Sequence, residues 1–182
     1  MKRRHCLALP VLGWAAVPRT QPAPPPELRA EWPQAGSIVK QGEGRLRFLG
    51  LSIYDIRLWA PEPVAASAHD RSPLALEIEY ARALSGPRIA ERSLTEMRRA
   101  GPMTEPDANR WLAAMRALFP DVEAGHRITG ALLPGASARF HVNGRLAGEV
   151  RDPRFASLFF GIWLAPWTSE PELRRQLLGL AP

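Results

Sequence analysis

Apolar and polar residues alternate in several short stretches, and this alternation predicts strands. Residues 45–48 (RLRF) and 74–80 (LALEIEY) place an apolar side chain at every second position. A period of two is typical of a strand with one buried and one exposed face. Residues 51–59 (LSIYDIRLW) contain strand-forming residue types, with Tyr54, Ile56 and Leu58 on one predicted face. We therefore predict three strands in this part of the chain.

Two helices are predicted to follow. Residues 87–100 repeat apolar positions at helical spacing, and Gly101-Pro102 signals the end of that helix. Thr104 is predicted to cap the next helix, three residues before Asp107. That helix has the clearest apolar stripe in the chain: Ala108, Trp111, Leu112, Met115, Leu118 and Phe119.

Three further strands are predicted at 127–133, 137–142 and 145–150. Pro134-Gly135 fits a type II turn between the first two, and Asn143-Gly144 is a strong hairpin signal between the last two. Hairpins predict a mainly antiparallel sheet.

Two more helices are predicted at the end of the chain. Asp152 and Pro153 favour the start of a helix that is apolar on nearly every side. Ser169 and Glu172 match a capping box for a last short helix. The order of elements predicts an α+β fold in which paired helices are layered on one face of the sheet.

The N-terminal residues predict export and a linker. Lys2, Arg3 and Arg4 precede an apolar stretch at 6–17, so residues 1–23 are interpreted as a signal peptide. The mature protein is then expected in the periplasm or outside the cell. Residues 24–35 belong to a proline-rich stretch, which we expect to be an extended linker without helix. The folded domain is predicted over 36–182.

Charge and residue types exclude several function classes. The net charge is +6, but residues 1–23 hold four basic residues and no acidic one, so nucleic-acid binding is not indicated. Cys6 is the only cysteine. The histidines lack metal-ligand spacing, His141 is predicted to be solvated, and Gly42-x-Gly44 lacks the third glycine of a dinucleotide fingerprint. No metal, no cofactor and no transmembrane segment are expected.

Several motifs, taken in order, resemble the chalcone isomerase-like proteins, in their bacterial exported branch. The matching pieces include Gly42-Glu43-Gly44-Arg45, Tyr54-Asp55, Ser85-Gly86, Phe119-Pro120-Asp121-Val122, Asp152-Pro153 and residues 159–164 (FFGIWL). The resemblance implies an open-faced β-sandwich with a large antiparallel sheet covered on one side by helices. Plant relatives include true isomerases, which close a flavanone ring, and fatty-acid-binding proteins. Both kinds use a cleft between the sheet and the helices.

The resemblance does not extend to the catalytic residues of the true isomerases. Those enzymes have a threonine in the strand that here holds Tyr54-Asp55, a tyrosine where this chain has Ile89, and an asparagine at Glu96 or a neighbour. Only an arginine is retained, as Arg45 or, with a shifted alignment, Arg47. Ring closure needs placed donors for the enolate charge, so chalcone isomerase activity is not expected. No catalytic residue is assigned.

A binding site is predicted instead, formed by Arg45, Arg47, Tyr54, Phe159 and Trp163. Its ligand would be a small apolar or phenolic compound. We favour an apolar carboxylate such as a fatty acid, with its head group on Arg45 and its tail along Phe159 and Trp163.

Simpler interpretations of the same residues stay open. The two arginines, predicted on one strand face, could pair with Glu77 and Glu79 across the sheet. Tyr54 and the aromatic helix could belong only to the core. Rival functions are an isomerase or lyase acting on another enone or phenolic compound, and an accessory protein that binds a protein partner. The oligomeric state is not predicted.

Overall fold

Six antiparallel strands form one sheet whose spatial order is the order of the chain. The structure is a computed structural model that describes residues 23–181. The strands are β1 (Val39–Phe48), β2 (Leu51–Ala60), β3 (Leu74–Tyr80), β4 (Arg127–Leu133), β5 (Ser137–Val142) and β6 (Arg145–Val150). The helices are α1 (Pro26–Glu31), α2 (Gly86–Met97), α3 (Glu105–Leu118), α4 (Pro153–Leu164) and α5 (Pro171–Leu178). The predicted α+β class and antiparallel sheet are confirmed.

The main core lies between one face of the sheet and helices α2–α5. Alternate residues of the strands point into it, as their period of two predicts: Ile56 and Leu58 of β2, Leu76 and Ile78 of β3, and Ile128 of β4 are all buried there. The helices contribute their apolar stripes, including Leu94, Trp111, Phe160 and Leu177. This layer contains every element that forms the site described below.

Side chains of the preceding residues fix the starts of two helices. The Thr104 hydroxyl accepts a hydrogen bond from the backbone N–H of Asp107 at 3.3 Å, as predicted. The Asp152 carboxylate accepts from the N–H groups of Arg154 and Phe155 at 3.0 and 3.1 Å. The predicted capping box at the last helix is wrong. Helix α5 begins at Pro171 after Glu170, without a side-chain cap.

The glycines of the Gly42-x-Gly44 motif allow helix α5 to lie directly on strand β1. A Cβ atom at Gly42 would overlap the backbone oxygens of Gln176 and Leu177, and one at Gly44 would overlap the Leu173 side chain. The motif therefore serves close packing of α5 on β1.

The opposite face of the sheet is covered in part by helix α1, which corrects the expectation of an extended linker. Pro26 occupies the first turn of α1, where the missing N–H would have no partner in the helix. Prolines at this position favour the start of a helix, so the proline content of the segment did not exclude one. Leu28 is fully buried in a second cluster with Ile38, Trp59, Ala75 and Ala131.

Polar contacts also attach α1 to the sheet. Thr129 Oγ1 donates to Glu27 Oε1 at 2.9 Å, and Arg139 Nη1 donates to Glu31 Oε2 at 2.9 Å. His141 Nε2 lies 3.4 Å from Glu31 Oε1 and the residue is buried. The prediction of a solvated His141 is wrong because α1 covers the polar face on which this histidine lies.

The predicted signal peptide falls, apart from Ala23, outside the described residues. Within residues 23–181, no helix combines the length and apolar character that crossing a bilayer requires.

Candidate functional site

A cavity of about 300 Å³ lies between the sheet and helices α2 and α4. The end of β1, the start of β2, the end of β3, the start of β4 and the inner faces of the two helices contribute to its wall. Most of this wall is apolar, and it includes Leu46, Ile53, Ile78, Ile89, Phe119, Phe159, Ile162 and Trp163. Its size and lining are those of a small-molecule site in which a few polar groups set the orientation of a ligand.

A β-bulge decides which of the two predicted arginines reaches this cavity. From Gly42 to Leu46 the residues of β1 pair regularly with β2. The register then shifts: Leu46 lies opposite Tyr54, Arg47 lies opposite Ser52, and Ile53 is an extra residue in β2. A bulge of this kind bends the strands and re-aims the side chains beside it. Arg47 lines the cavity together with Leu46, whereas Arg45 does not. The prediction that the two arginines share one face is wrong.

Arg45 lies on the other face of the sheet, where it is held by Asp55. Its Nε and Nη2 atoms donate to the two carboxylate oxygens at 2.6 and 2.8 Å. The hydrogen bond from Arg45 is the main reason that the pKa of Asp55 is held below its usual range. Arg45 is thus already engaged in a bidentate pair, and the structure does not place it as the head-group residue.

Glu77 and Glu79 pair with arginines other than the two that the sequence suggested. Arg127 Nη1 donates to Glu77 Oε1 at 3.0 Å, and Arg57 lies near both carboxylates. Arg57 Nη1 donates to Glu79 Oε2 at 3.1 Å and lies 3.6 Å from Glu77 Oε1. Arg57 is directly opposite Glu77 in the sheet register. The simple cross-strand interpretation was right in kind, but it named the wrong arginines.

Tyr54 and Tyr80 bring two phenol groups to the cavity from neighbouring strands. They are directly paired in the sheet, and their ring centroids are 6.1 Å apart. Trp163 Nε1 donates to the Tyr54 hydroxyl at 2.9 Å, so the hydroxyl proton of Tyr54 is left to donate elsewhere. Burial raises the pKa of both tyrosines well above the usual value, so both are protonated donors at neutral pH.

Tyr80 is a site residue that the sequence reasoning missed. It ends the alternating stretch 74–80 and shares a face with Leu76 and Ile78. Its position in that alternation could have identified it, because a tyrosine on the buried face at the end of a strand carries its hydroxyl group into the core.

Phe159 and Trp163 of α4 form the aromatic wall, where the sequence reasoning placed them. Phe159 also packs against Phe140 and Phe155, with ring centroids 5.0 and 5.6 Å away. Its exposed fraction is only 5%. The helix is therefore both core and cavity wall, and the two interpretations of it are compatible.

Charged side chains of α2 and of the loop before α5 complete the site. Arg88, Arg92 and Glu96 reach the cavity from α2, and Glu170 reaches it from the loop. Glu96 is buried and is balanced by Arg92 at 2.7 Å and Arg99 at 3.6 Å.

Two arginines at the cavity have no such balance. Within the described part of the chain, no carboxylate lies within ion-pair distance of Arg47 or Arg88. Sequence reasoning did not identify Arg88, because a surface arginine on a helix carries no signal of its own.

No metal centre is formed by the described residues. Within 23–181, no three histidine, cysteine or acidic side chains come together in a group that could hold a metal ion. The site offers arginine and tyrosine side chains, which donate hydrogen bonds, beside apolar side chains. These groups suit an organic ligand that has a hydrogen-bond acceptor on an apolar body.

Comparisons with known proteins agree with this architecture. An uncharacterized protein of Haemophilus influenzae is 31% identical over 107 residues, which is 59% of this chain and 52% of that protein. The chain thus spans about half the length of this relative. A solved fatty-acid-binding protein of Arabidopsis thaliana has the same fold, with a TM-score of 0.59 and 15% identity. That match covers 79% of this chain and 87% of the plant chain.

The family assignment rests on a match over most of the folded part. The family model described as "Chalcone isomerase-like" matches residues 41–179, which include all six strands except the first two residues of β1, and helices α2–α5. The chain belongs to the chalcone isomerase-like family.

Proposed function

We propose that this protein binds an apolar carboxylate, such as a fatty acid, in the cavity between the sheet and helices α2 and α4. The observation that carries the proposal is a mostly apolar cavity of about 300 Å³ with Arg47 at its wall, an arginine that forms no ion pair within residues 23–181. An apolar wall favours a hydrocarbon tail, and a guanidinium group favours a carboxylate head. The name of the similar plant structure, a fatty-acid-binding protein, supports the same ligand class.

The polar side chains of the cavity suit a ligand with a hydrogen-bond acceptor at one end. Tyr54 and Tyr80 each offer a hydroxyl proton to the cavity, and Arg47 offers a positive charge. Three arginines and two carboxylates line the cavity, so its charge balance is positive. A negatively charged head group is therefore attracted, and a cationic ligand is disfavoured.

Chalcone ring closure is not part of the proposal. Where the resemblance implies a catalytic tyrosine, Ile89 presents only an apolar side chain to the cavity. Glu96, at or beside the position where an asparagine is implied, is a carboxylate already paired with Arg92 and Arg99, and it does not supply the N–H donor of an asparagine. Without the tyrosine and asparagine donors, this arrangement does not suit the reaction.

A second candidate is an isomerase or lyase that acts on another enone or phenolic compound. The observation that favours it is the pair of phenol donors, Tyr54 and Tyr80, since two placed donors can stabilise a developing oxyanion. The remaining interpretation, an accessory protein without a closed pocket, is not supported by the presence of this cavity.

A thermal-shift assay with fatty acids tests the proposal, and Arg45 provides a matched control for Arg47. A ligand at 100 times its Kd adds about 2.7 kcal/mol to the unfolding free energy. Arg47→Ala removes a charge-assisted hydrogen bond, and we expect the Kd to rise by roughly tenfold or more. Arg45→Ala changes an arginine two positions away, outside the cavity, and should leave the Kd unchanged.

Three outcomes would count against the proposal. The absence of a shift with every fatty acid would exclude the ligand class. Equal losses in the two arginine variants would exclude Arg47 as the head-group residue. A shift with phenolic enones alone, accompanied by turnover, would favour the second candidate.

We also propose that the protein is exported and acts in the periplasm or outside the cell. The charged and apolar pattern of residues 1–23 supports this. N-terminal sequencing of the protein from fractionated cells of its host tests it. A mature N-terminus within or near that segment, in a non-cytoplasmic fraction, is expected. An intact Met1 in the cytoplasmic fraction would contradict it.

A further inference from the structure

The hairpin between β1 and β2 ends in an exposed apolar tip. Phe48, Leu49 and Leu51 are 62%, 85% and 55% exposed. Six large apolar side chains are strongly exposed within residues 23–181, and these three lie within four consecutive positions. Isolated exposed leucines are ordinary on a protein surface, but a contiguous apolar group marks an interaction site.

The backbone at the tip adds a second, independent observation. Leu49 and Gly50 have φ values of 49° and 78°, so both central residues of the turn are in the left-handed region. The hairpin between β5 and β6 has the same geometry at Asn143 and Gly144, with φ values of 48° and 81°. Asparagine and glycine favour this conformation, whereas leucine is strained in it.

Leu49 therefore contributes little to the fold. It occupies an unfavourable conformation and leaves its side chain in solvent, where an asparagine would suit the turn better. Strain that the fold does not need points to a function for the side chain that carries it.

The tip adjoins the cavity, and arginines lie beside it, at the same end of the sheet and on the cavity wall. Arg47 and Phe48 both line the cavity, although both are exposed. Arg82 lies at the same end of the sheet, because Ala81 N–H donates to Ile53 O near the start of β2. In the part of the chain that the structure describes, Arg47, Arg82 and Arg88 have no acidic partner within ion-pair distance.

We propose that this tip inserts into the surface of a lipid bilayer that contains anionic lipids. A protruding apolar turn with unpaired arginines beside it matches a bilayer interface, where apolar side chains enter the acyl region and cations meet the head groups. Docking there places the mouth of the cavity against the membrane. An apolar ligand then moves between bilayer and cavity without crossing water.

Binding of the tip to a membrane does not depend on which ligand the cavity holds. Transfer of a fatty acid rests on the proposed function, whereas binding to vesicles does not. If the thermal shifts with fatty acids fail and vesicle binding persists, the proposed function is wrong and the docking surface remains.

Vesicle flotation with the full chain tests the proposal, using phosphatidylcholine vesicles with and without phosphatidylglycerol. We expect binding that requires phosphatidylglycerol and weakens as the salt concentration rises. Leu49→Asn should weaken binding by about tenfold, since a leucine no longer enters the bilayer. The same variant should melt at an equal or higher temperature than the wild type, because asparagine suits the turn.

Leu180→Asn is the matched control. Leu180 is also exposed, at 39%, and lies beyond α5 at the opposite end of β1. This variant should bind vesicles like the wild type. Because all variants keep the same N-terminal residues, differences between them report only the changed position.

Three results would overturn the proposal. The first is a wild type that does not bind anionic vesicles, and the second is a Leu49→Asn variant that binds them as strongly as the wild type. The third is a Leu49→Asn variant that converts a dimer into a monomer without altering vesicle binding, which would make a second copy of the chain the occupant of the tip.

Discussion

Arg45 and Arg47 have the same charge and lie two positions apart, yet they make different contacts. Arg45 donates two hydrogen bonds to Asp55 on one face of the sheet, and Arg47 lines the cavity on the other. The bulge between Leu46 and Arg47 separates them. At this bulge the site thus has a cation, Arg47, that forms no ion pair with the described residues.

At the residue scale, we expect Tyr54→Phe to destabilise the fold more than Tyr80→Phe does. Tyr54→Phe leaves the indole N–H of Trp163 without its acceptor, and this should lower the unfolding free energy by about 1–2 kcal/mol. The hydroxyl of Tyr80 has no hydrogen bond to the described residues, so Tyr80→Phe should change the unfolding free energy by less than about 0.5 kcal/mol. Urea unfolding measures both. Equal losses would show that the Trp163 hydrogen bond contributes nothing.

The site was predictable from the sequence only where side-chain direction follows a regular period. Tyr54, Phe159 and Trp163 reach the cavity because the alternation of β2 and the stripe of α4 continue without interruption. The two arginines were misassigned because a bulge depends on pairing with the opposite strand, which a single strand's sequence does not contain.

Among the elements, α1 and α4 show opposite relations between sequence and structure. The pattern around Asp152 and Pro153 predicts the start of α4 because the cap lies within a few residues of the helix. Helix α1 is only six residues long and is stable through tertiary contacts, so its own sequence gave little sign of it. The three strands from Arg127 to Val150 were predicted with correct bounds, because each has turn residues at its ends.

We expect Leu28→Ala to destabilise the whole domain, because α1 is part of its second core. Leu28 is fully buried between α1 and the sheet, and removing such a side chain costs about 2–5 kcal/mol. Leu146→Ala, at a position that is 61% exposed, is the control and should change the unfolding free energy by less than about 0.5 kcal/mol. Denaturant unfolding compares the two. Similar stabilities would mean that α1 does not pack on the sheet in solution.

The cap of α4 also predicts a dependence on pH. Burial alone would raise the pKa of Asp152, but hydrogen bonds from Trp111, Phe155, Arg110 and Arg154 outweigh it and hold the pKa below its usual value. A lowered pKa stabilises the fold above the unfolded value of about 4. This contribution is lost as the pH falls through the lower, folded pKa.

The matching variant is Asp152→Asn, which cannot ionise. Its deficit in unfolding free energy relative to the wild type should be full near neutral pH and shrink at acid pH, below about 4. Chemical unfolding across this range measures the deficit. A deficit that stays constant with pH would show that the charge of Asp152 does not stabilise the helix.

At the scale of the whole molecule, the cavity is a gap between the sheet and helices α2 and α4. Ile89 of α2 lines this gap. We expect the larger side chain of Ile89→Trp to fill the cavity, so that fatty-acid affinity falls by about tenfold or more. Because this substitution removes no packed atoms and leaves no new cavity, the melting temperature of the ligand-free variant should not fall. Thermal shift with and without ligand measures both effects. Unchanged ligand binding would place the binding site elsewhere.

The sheet order described above has a consequence for how fast the chain folds. Each strand pairs with its neighbour in sequence, so β1–β3 and β4–β6 form two local units, and only the pairing of β3 with β4 closes a long loop around α2 and α3. Closing that loop costs chain entropy before the contacts form, so joining the two units should limit the folding rate. Substitutions at Ile78 and Ile128, which face each other across this junction, should therefore slow folding, whereas substitutions within either unit should mainly speed unfolding.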